Sequence, residues 1–233
     1  MNARATDCDW VRLPAKAPLH LEATVRVLQR RPTNPVDAWV QGRYRRVVPT
    51  SAGLVLTEVT NVGTVDRPDV RFVVHTHASP MVRMEVARTL RRMLGLDLDA
   101  EAMHALALRE RKLRATARAL RGMRPPRYAG LFETFANVIP FQQLSIDAGA
   151  AIVNRLVQRF GERFEHDGQW IYAFPSASAI AEVRLATLQA CGLSHSKAVV
   201  LREIARMIAS GALDEDKLAL MSTTRALRAL IRL

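Results

Sequence analysis

Phe132-Glu133-Thr134-Phe135-Ala136-Asn137-Val138-Ile139-Pro140-Phe141-Gln142-Gln143-Leu144-Ser145 is the stretch on which the reading of this chain turns, because an apolar helix runs into a short polar turn and a second helix follows at once. Phe132, Phe135, Val138 and Ile139 stripe the first helix, while Ile152, Val153, Leu156, Val157 and Phe160 stripe the second, which Gly161 stops. Ser145 stands where an N-cap belongs, with Asp147 in the first turn to complement the helix dipole. Further boundaries fall at Phe174-Pro175, Cys191-Gly192-Leu193-Ser194 and Met221-Ser222, so helices are expected over 180–190, 196–210 and 213–220. Strand patterns vanish in this half.

Upstream the pattern is different. From Leu19 to Thr76 apolar residues alternate and β-branched residues are frequent, as in Leu21-Glu22-Ala23-Thr24-Val25-Arg26-Val27, Arg46-Val47-Val48, Leu54-Val55-Leu56-Thr57-Glu58-Val59 and Val70-Arg71-Phe72-Val73-Val74. These predict antiparallel strands, with turn chemistry at Ser51-Ala52-Gly53 and Asp66-Arg67-Pro68-Asp69. Ser79-Pro80 reads as an N-cap with Pro at the first helical position, and Met81, Met84, Val86, Leu90 and Leu94 give a stripe ending at Gly95. Helix continues over 99–121, and Gly122-Met123-Arg124-Pro125-Pro126-Arg127 marks the boundary. The expected organisation is an N-terminal extension (1–18), an α+β domain (19–121), a linker (122–128) and an all-α region (129–233).

Lys and Arg number 34 against 22 Asp and Glu, a net charge of +12 that draws polyanions by a salt-sensitive Coulomb attraction. Nucleic acid is the first partner to consider, although 30 of those cations are Arg, a skew that base composition of the coding DNA also produces. The two cysteines, Cys8 and Cys191, make neither a metal pattern nor a disulfide framework, which points to a reducing compartment. No apolar run is long enough for a membrane span, and Met1 to Asp9 lacks the organisation of a signal peptide.

Several residues could carry function, and each also has a plainer reading. Gln142 and Gln143 in a tight interhelical turn, with Ser145 after them, form either a simple polar loop or a surface that enters a groove. Cys191-Gly192-Leu193-Ser194-His195-Ser196-Lys197 reads as a C-cap glycine, an N-cap serine and a helix whose free amides could hold a phosphate, or as an ordinary helix junction with a surface lysine. His75 and His77 would share one side of a strand, the geometry of a two-histidine metal site, but no third ligand stands nearby in sequence, and no metal is assigned. Glu133, Asp147 and Glu182 are isolated carboxylates without a partner acid or histidine on the same helix. Trp39, Tyr44, Trp170 and Tyr172 could stack on bases, yet at 6% aromatic content they fit strand and core positions.

Phe141-Gln142-Gln143-Leu144-Ser145, Cys191-Gly192-Leu193-Ser194 with Lys197, and Met221-Ser222 together resemble the central part of the helix-hairpin-helix (HhH-GPD) DNA glycosylases, most closely the AlkA-type branch, 3-methyladenine DNA glycosylase II. Arg91-Arg92-Met93-Leu94-Gly95-Leu96-Asp97 and Gly122-Met123-Arg124-Pro125-Pro126 extend the likeness upstream, over about residues 19–233, most specifically in the second half. The resemblance implies an α+β chain, a small antiparallel sheet domain like the TATA-binding-protein module followed by an incomplete all-α glycosylase domain. It implies base-excision repair: the duplex is bent, an alkylated purine is flipped out and its glycosidic bond is hydrolysed. Gln143 would fill the vacated site, with Gln142 its neighbour, while Ser145, Ser194 and Lys197 would hold the DNA backbone. The family's Gly-rich hairpin and catalytic aspartate would fall beyond Leu233, so the catalytic residue is unknown and the chain is expected to excise no base as it stands. A non-catalytic DNA-binding or lesion-sensing module is the alternative. No cofactor is implied, and the expected setting is double-stranded DNA with alkylated bases in the cytoplasm, associated with the nucleoid, the complete protein being a monomer.

Overall fold

The computed structural model describes residues 10–76 and 78–231, apart from the Ile231 side chain, and divides them into two compact units. The chain is mixed helix and sheet, as expected. The first unit holds residues up to Ala129 together with Arg163–Ala173, and the second holds Gly130–Glu162 and the residues from Phe174 onward.

In the first unit β1 (Val11–Leu13), β2 (Ala38–Val40), β3 (Arg43–Thr50), β4 (Gly53–Asn61) and β5 (Val70–Val74) form an antiparallel sheet in the order β1-β5-β4-β3-β2. The hairpin register sets Thr50 opposite Gly53 and Tyr44 opposite Val59. One face packs Tyr44, Val48, Val55, Val59 and Phe72 into a core closed by two helices. Val11–Leu13 therefore belongs to the sheet rather than to an extension.

The first of these helices corrects a strand expectation. Leu21–Gln29 is a helix, α1, whose buried positions Leu21, Thr24, Val25, Leu28 and Gln29 follow the helical period, with Val27 left outside. The alternation Leu21, Ala23, Val25, Val27 was compatible with both periods. The tie is broken locally: His20 accepts a hydrogen bond from the Ala23 amide, and Glu22 pairs with Arg26 one turn on. Helix α2 (Pro80–Met93) starts where Ser79-Pro80 predicts, Ser79 accepting from the Val82 amide. Its buried stripe is Val82, Val86, Leu90 and Met93, while Met81 and Met84 are exposed. The helix expected over 99–121 is broken into α3 (Glu101–Arg109) and α4 (Arg114–Ala119).

The segment expected as a linker is tied down. The Arg124 guanidinium is fully buried and donates to the carbonyls of Lys16, Pro18 and Gly95, while its amide donates to Thr24 Oγ1. Gly122 sits at φ +83°, and a Cβ there would come within 2.9 Å of the Leu19 and His20 amides, so only glycine lets the chain pass.

The expectation of a purely helical second half also needs correcting. Arg163–His166 (β6) and Gln169–Tyr172 (β7) form a hairpin around Asp167-Gly168, both at positive φ. It is part of the first unit: Ile171 and Ala173 pack with Val47 and Leu56, and the Tyr172 amide donates to the Pro35 carbonyl. Strands of only four residues, one of them with charged alternate positions, carry too weak a periodic signal to be read in a helical context.

The first unit also buries charge. Tyr44 Oη and an Arg46 guanidinium nitrogen each donate to Asp37 Oδ1 at 2.6 Å, all three side chains being inaccessible. Burial and the adjacent Asp37 carboxylate push the Tyr44 phenol well above its ordinary pKa.

The second unit is built from α5 (Leu131–Ala136), α6 (Ile146–Phe160), α7 (Ala177–Ala181), α8 (Leu185–Ala190), α9 (His195–Ala209), α10 (Glu215–Ala219) and α11 (Thr223–Ile231). Its core gathers Phe132, Ile139, Ile152, Leu156, Ile180, Leu188, Leu193, Leu201 and Ile204 around the inner face of α9. Leu230 of α11 packs against this core, and the Arg225 amide donates to Ser222 Oγ, the expected cap.

Candidate nucleic-acid interface

The turn between α5 and α6 is built in three steps. Pro140 ends the apolar run in a 3-10 turn over Ile139–Phe141, because proline tolerates the start of a helical turn but cannot donate further along it. Gln143 then takes φ +57°, the left-handed conformation that lets the chain reverse; for a side chain larger than glycine this costs about 1–2 kcal/mol. Ser145 starts α6 by accepting from the Ala148 amide. The Phe141 ring lies against Gly149 on the first turns of α6, where a Cβ would stand 2.4 Å from ring carbon Cδ1. Gln142, Gln143, Leu144, Ser145 and Ile146 form one continuous exposed tip.

The junction before α9 lies beside this turn within the same unit. Gly192 at φ +103° ends the preceding helix, and Ser194 starts α9 by accepting from the Lys197 amide. Arg155 of α6 donates through Nε to the Cys191 carbonyl at 2.7 Å, tying this junction to the helix that follows the Gln142-Gln143 turn. Lys197 closes the arrangement from the other side: its Nζ donates to the carbonyls of Gln142 at 2.6 Å and Pro140 at 3.2 Å. An ammonium in the first turn of a helix is poorly placed for that helix's dipole, but here it meets carbonyls at the end of the 3-10 turn.

The structure therefore brings Gln142, Gln143, Ser145, Ser194 and Lys197 into one region, with two helix N-termini and one lysine. Ser145 and Ser194 are N-caps, which leaves the other first-turn amides to face a ligand. Lys197 uses two of its three N–H donors on the neighbouring turn and keeps one. Arg155 escaped the sequence reading because its partner is a carbonyl 36 positions away.

The remaining candidates fall elsewhere. Glu133 is buried in α5, and Asp147 lies in the exposed first turn of α6. Glu182 pairs with Arg206. Tyr44 is core, as the plainer reading holds, whereas Trp170 is half-exposed with the Arg163 guanidinium 4.6 Å above its ring. His75 follows β5; His77 lies outside the described residues.

The chain thus pairs a sheet-and-helix unit with a helical unit that presents two capped helix starts beside a polar turn. Residues 10–130 match the AlkA N-terminal domain and residues 136–231 match the HhH-GPD superfamily of base excision DNA repair proteins. The chain belongs to the AlkA-type HhH-GPD DNA glycosylase family. It is 26% identical over 151 residues to a DNA-3-methyladenine glycosylase of Bacillus subtilis, an alignment covering 65% of this chain and 50% of that protein. The chain spans half or less of the length of the curated relatives it matches. A solved 3-methyladenine DNA-glycosylase from Archaeoglobus fulgidus superposes with a TM-score of 0.75 at 25% identity, over 96% of this chain and 74% of that one. The 8-oxoguanine glycosylase/lyase of Clostridium acetobutylicum shares the fold at 16% identity, with a TM-score of 0.67 and 96% and 72% coverage.

Proposed function

We propose that this protein is a base-excision repair DNA glycosylase that removes alkylated purines by hydrolysing the N-glycosidic bond after base flipping. The observation that carries this reading is Gln143, held in a left-handed turn at the tip of the exposed Gln142–Ile146 stretch and backed by Lys197 and by Phe141 packed on Gly149. A side chain on a braced turn can enter the stack vacated by a flipped nucleotide without first ordering its own backbone, which is where much of the free energy of a flexible loop would be spent.

In this mechanism the duplex backbone lies across the starts of α6 and α9, where first-turn amides and the remaining N–H of Lys197 meet phosphate oxygens. Gln143 fills the gap, and Gln142 beside it faces the neighbouring bases. Extrusion costs a few kcal/mol, least for a damaged base. Alkylation leaves the purine positively charged and therefore a good leaving group, so the reaction needs stabilisation of the cationic sugar more than a general acid. The group that supplies this is not assigned to a residue of this chain. Double-stranded DNA is the partner, and no cofactor takes part in the step.

The test is binding of the purified chain to a duplex with one abasic-site analogue and to the same duplex undamaged. A preference for the abasic analogue that is lost in Gln143→Ala supports the reading. Equal affinity for both duplexes overturns it. This chain is expected to release no 3-methyladenine from methylated duplex, and release above a no-protein control would overturn that expectation and make the chain itself the enzyme.

A further inference from the structure

Three nitrogen and oxygen donors from three different strand regions converge in the first unit: Glu58 of β4, His75 just after β5, and His166 at the end of β6. All three ligand atoms lie within 4.8 Å of one another. His75 Nε2 is 3.5 Å from Glu58 Oε2, and His166 Nε2 is 3.5 Å from Glu58 Oε1. A tetrahedral ion with ligands at about 2.0–2.1 Å holds its donors about 3.4 Å apart, so the two histidine–carboxylate spacings already match.

We propose that Glu58, His75 and His166 form a binding site for a single divalent cation of the zinc class, which staples the β6–β7 hairpin to the five-stranded sheet. Imidazole and carboxylate donors in a two-to-one set are ordinary zinc ligands, and an incomplete set leaves the fourth position to water or to Asp167, whose Oδ2 is 3.5 Å from His166 Nε2.

Two further observations support the site independently of spacing. His75 Nε2 is buried and makes no hydrogen bond, an uncommon state for an imidazole nitrogen that a cation would resolve. The two imidazole rings lie with centroids 4.1 Å apart and planes tilted by 50°, so that each brings a nitrogen to the same carboxylate. Glu58 is 1% exposed, and its carboxylate faces both histidines and Arg45.

The arginines set the strength of the site. Arg45 Nε and an Arg43 guanidinium nitrogen donate to Glu58 at 2.5 and 3.1 Å, and Arg45 also donates to Asp167 at 2.6 Å. Two carboxylates thus balance two guanidinium groups, and the cation enters a neutral cluster. A carboxylate has about four lone-pair positions, so two guanidinium bonds leave room for a metal bond. They also draw charge from it, which places the affinity on the order of micromolar rather than at the tightness of a structural zinc finger.

The test uses the tag-free chain, stripped by a chelator. Cobalt titration followed by visible absorption should saturate at one ion per chain, zinc should displace it, and zinc should raise the melting temperature. His75→Gln and His166→Gln should each weaken binding at least tenfold and abolish the thermal shift, while His104→Gln and His195→Gln, outside the cluster, should change neither. Melting of the variants in chelator confirms that they fold. Absence of saturable binding, or cobalt affinity unchanged in His166→Gln, overturns the proposal; the latter result would hand any metal to His75 with another partner. None of these outcomes depends on glycosylase activity.

Discussion

Lys197 Nζ donates to the Gln142 carbonyl at 2.6 Å, so the first turn of one helix holds the loop that ends another, across 55 positions of sequence. The lysine is thereby a brace for the turn as well as a charge beside it.

Lys197→Met keeps the aliphatic stem and removes both hydrogen bonds. Duplex affinity should fall by about 1–2 kcal/mol, the combined effect of a charge-assisted hydrogen bond and a lost phosphate contact. Amide exchange at Gln142 to Ser145 should quicken at the same time. Weaker binding with unchanged exchange would reduce Lys197 to a surface charge.

Gln143 can be separated from its backbone by comparing two variants. Gln143→Ala should weaken binding to an abasic analogue by about 1–2 kcal/mol and barely alter affinity for undamaged duplex. Gln143→Gly should lose the same affinity while raising thermal stability, because glycine adopts φ +57° without strain. Anisotropy titrations paired with melting curves read both quantities, and equal losses on the two duplexes would make Gln143 a structural residue.

The net charge of +12 implies salt-dependent binding. Between about 50 and 200 mM salt, log Kd should rise linearly with log salt, each neutralised phosphate contributing a slope of about 0.9. Affinity that stays flat across that range would remove the electrostatic account.

Asp37→Asn should be the most destabilising single change in the first unit. It leaves the Arg46 guanidinium buried and weakens the Tyr44 bond, with an expected loss of about 3–5 kcal/mol by urea denaturation. Asp37→Asn with Arg46→Met should recover part of that loss.

Tyr44 predicts behaviour at alkaline pH. Its folded-state pKa is raised above that of the exposed phenol, so above the ordinary phenol range the unfolded chain sheds a proton that the folded chain keeps. Stability should therefore be constant through neutral pH and fall as pH climbs past about 10. In Tyr44→Phe the fall should be shallower, although the variant starts lower for want of the Asp37 bond.

The parts of the fold legible in sequence are those whose signal is local. Ser79-Pro80, Ser145 and Ser194 mark helix starts because a cap acts within three residues, and all three accept the bond their position predicts. The turn at Gln142-Gln143 and the junction at Gly192 are visible for the same reason. Where periodicities conflict, a cap and an i,i+4 pair break the tie: Leu21–Gln29 alternates like a strand, yet His20 caps it and it buries a helical stripe.

What the sequence by itself determined is the set of elements with strong caps and stripes, the family likeness, and the residues of the candidate DNA-facing turn. Only the tertiary structure decided that Arg163–Ala173 returns to the first unit, that Arg124 anchors the supposed linker, and that Glu58, His75 and His166 meet. The reason is physical. A cap or a periodic stripe is a relation among residues a few positions apart, whereas a buried charge or a shared ligand site requires the chain to close loops of up to about a hundred residues. The entropy of that closure is repaid only by the whole packed unit, so no short window of sequence contains the information.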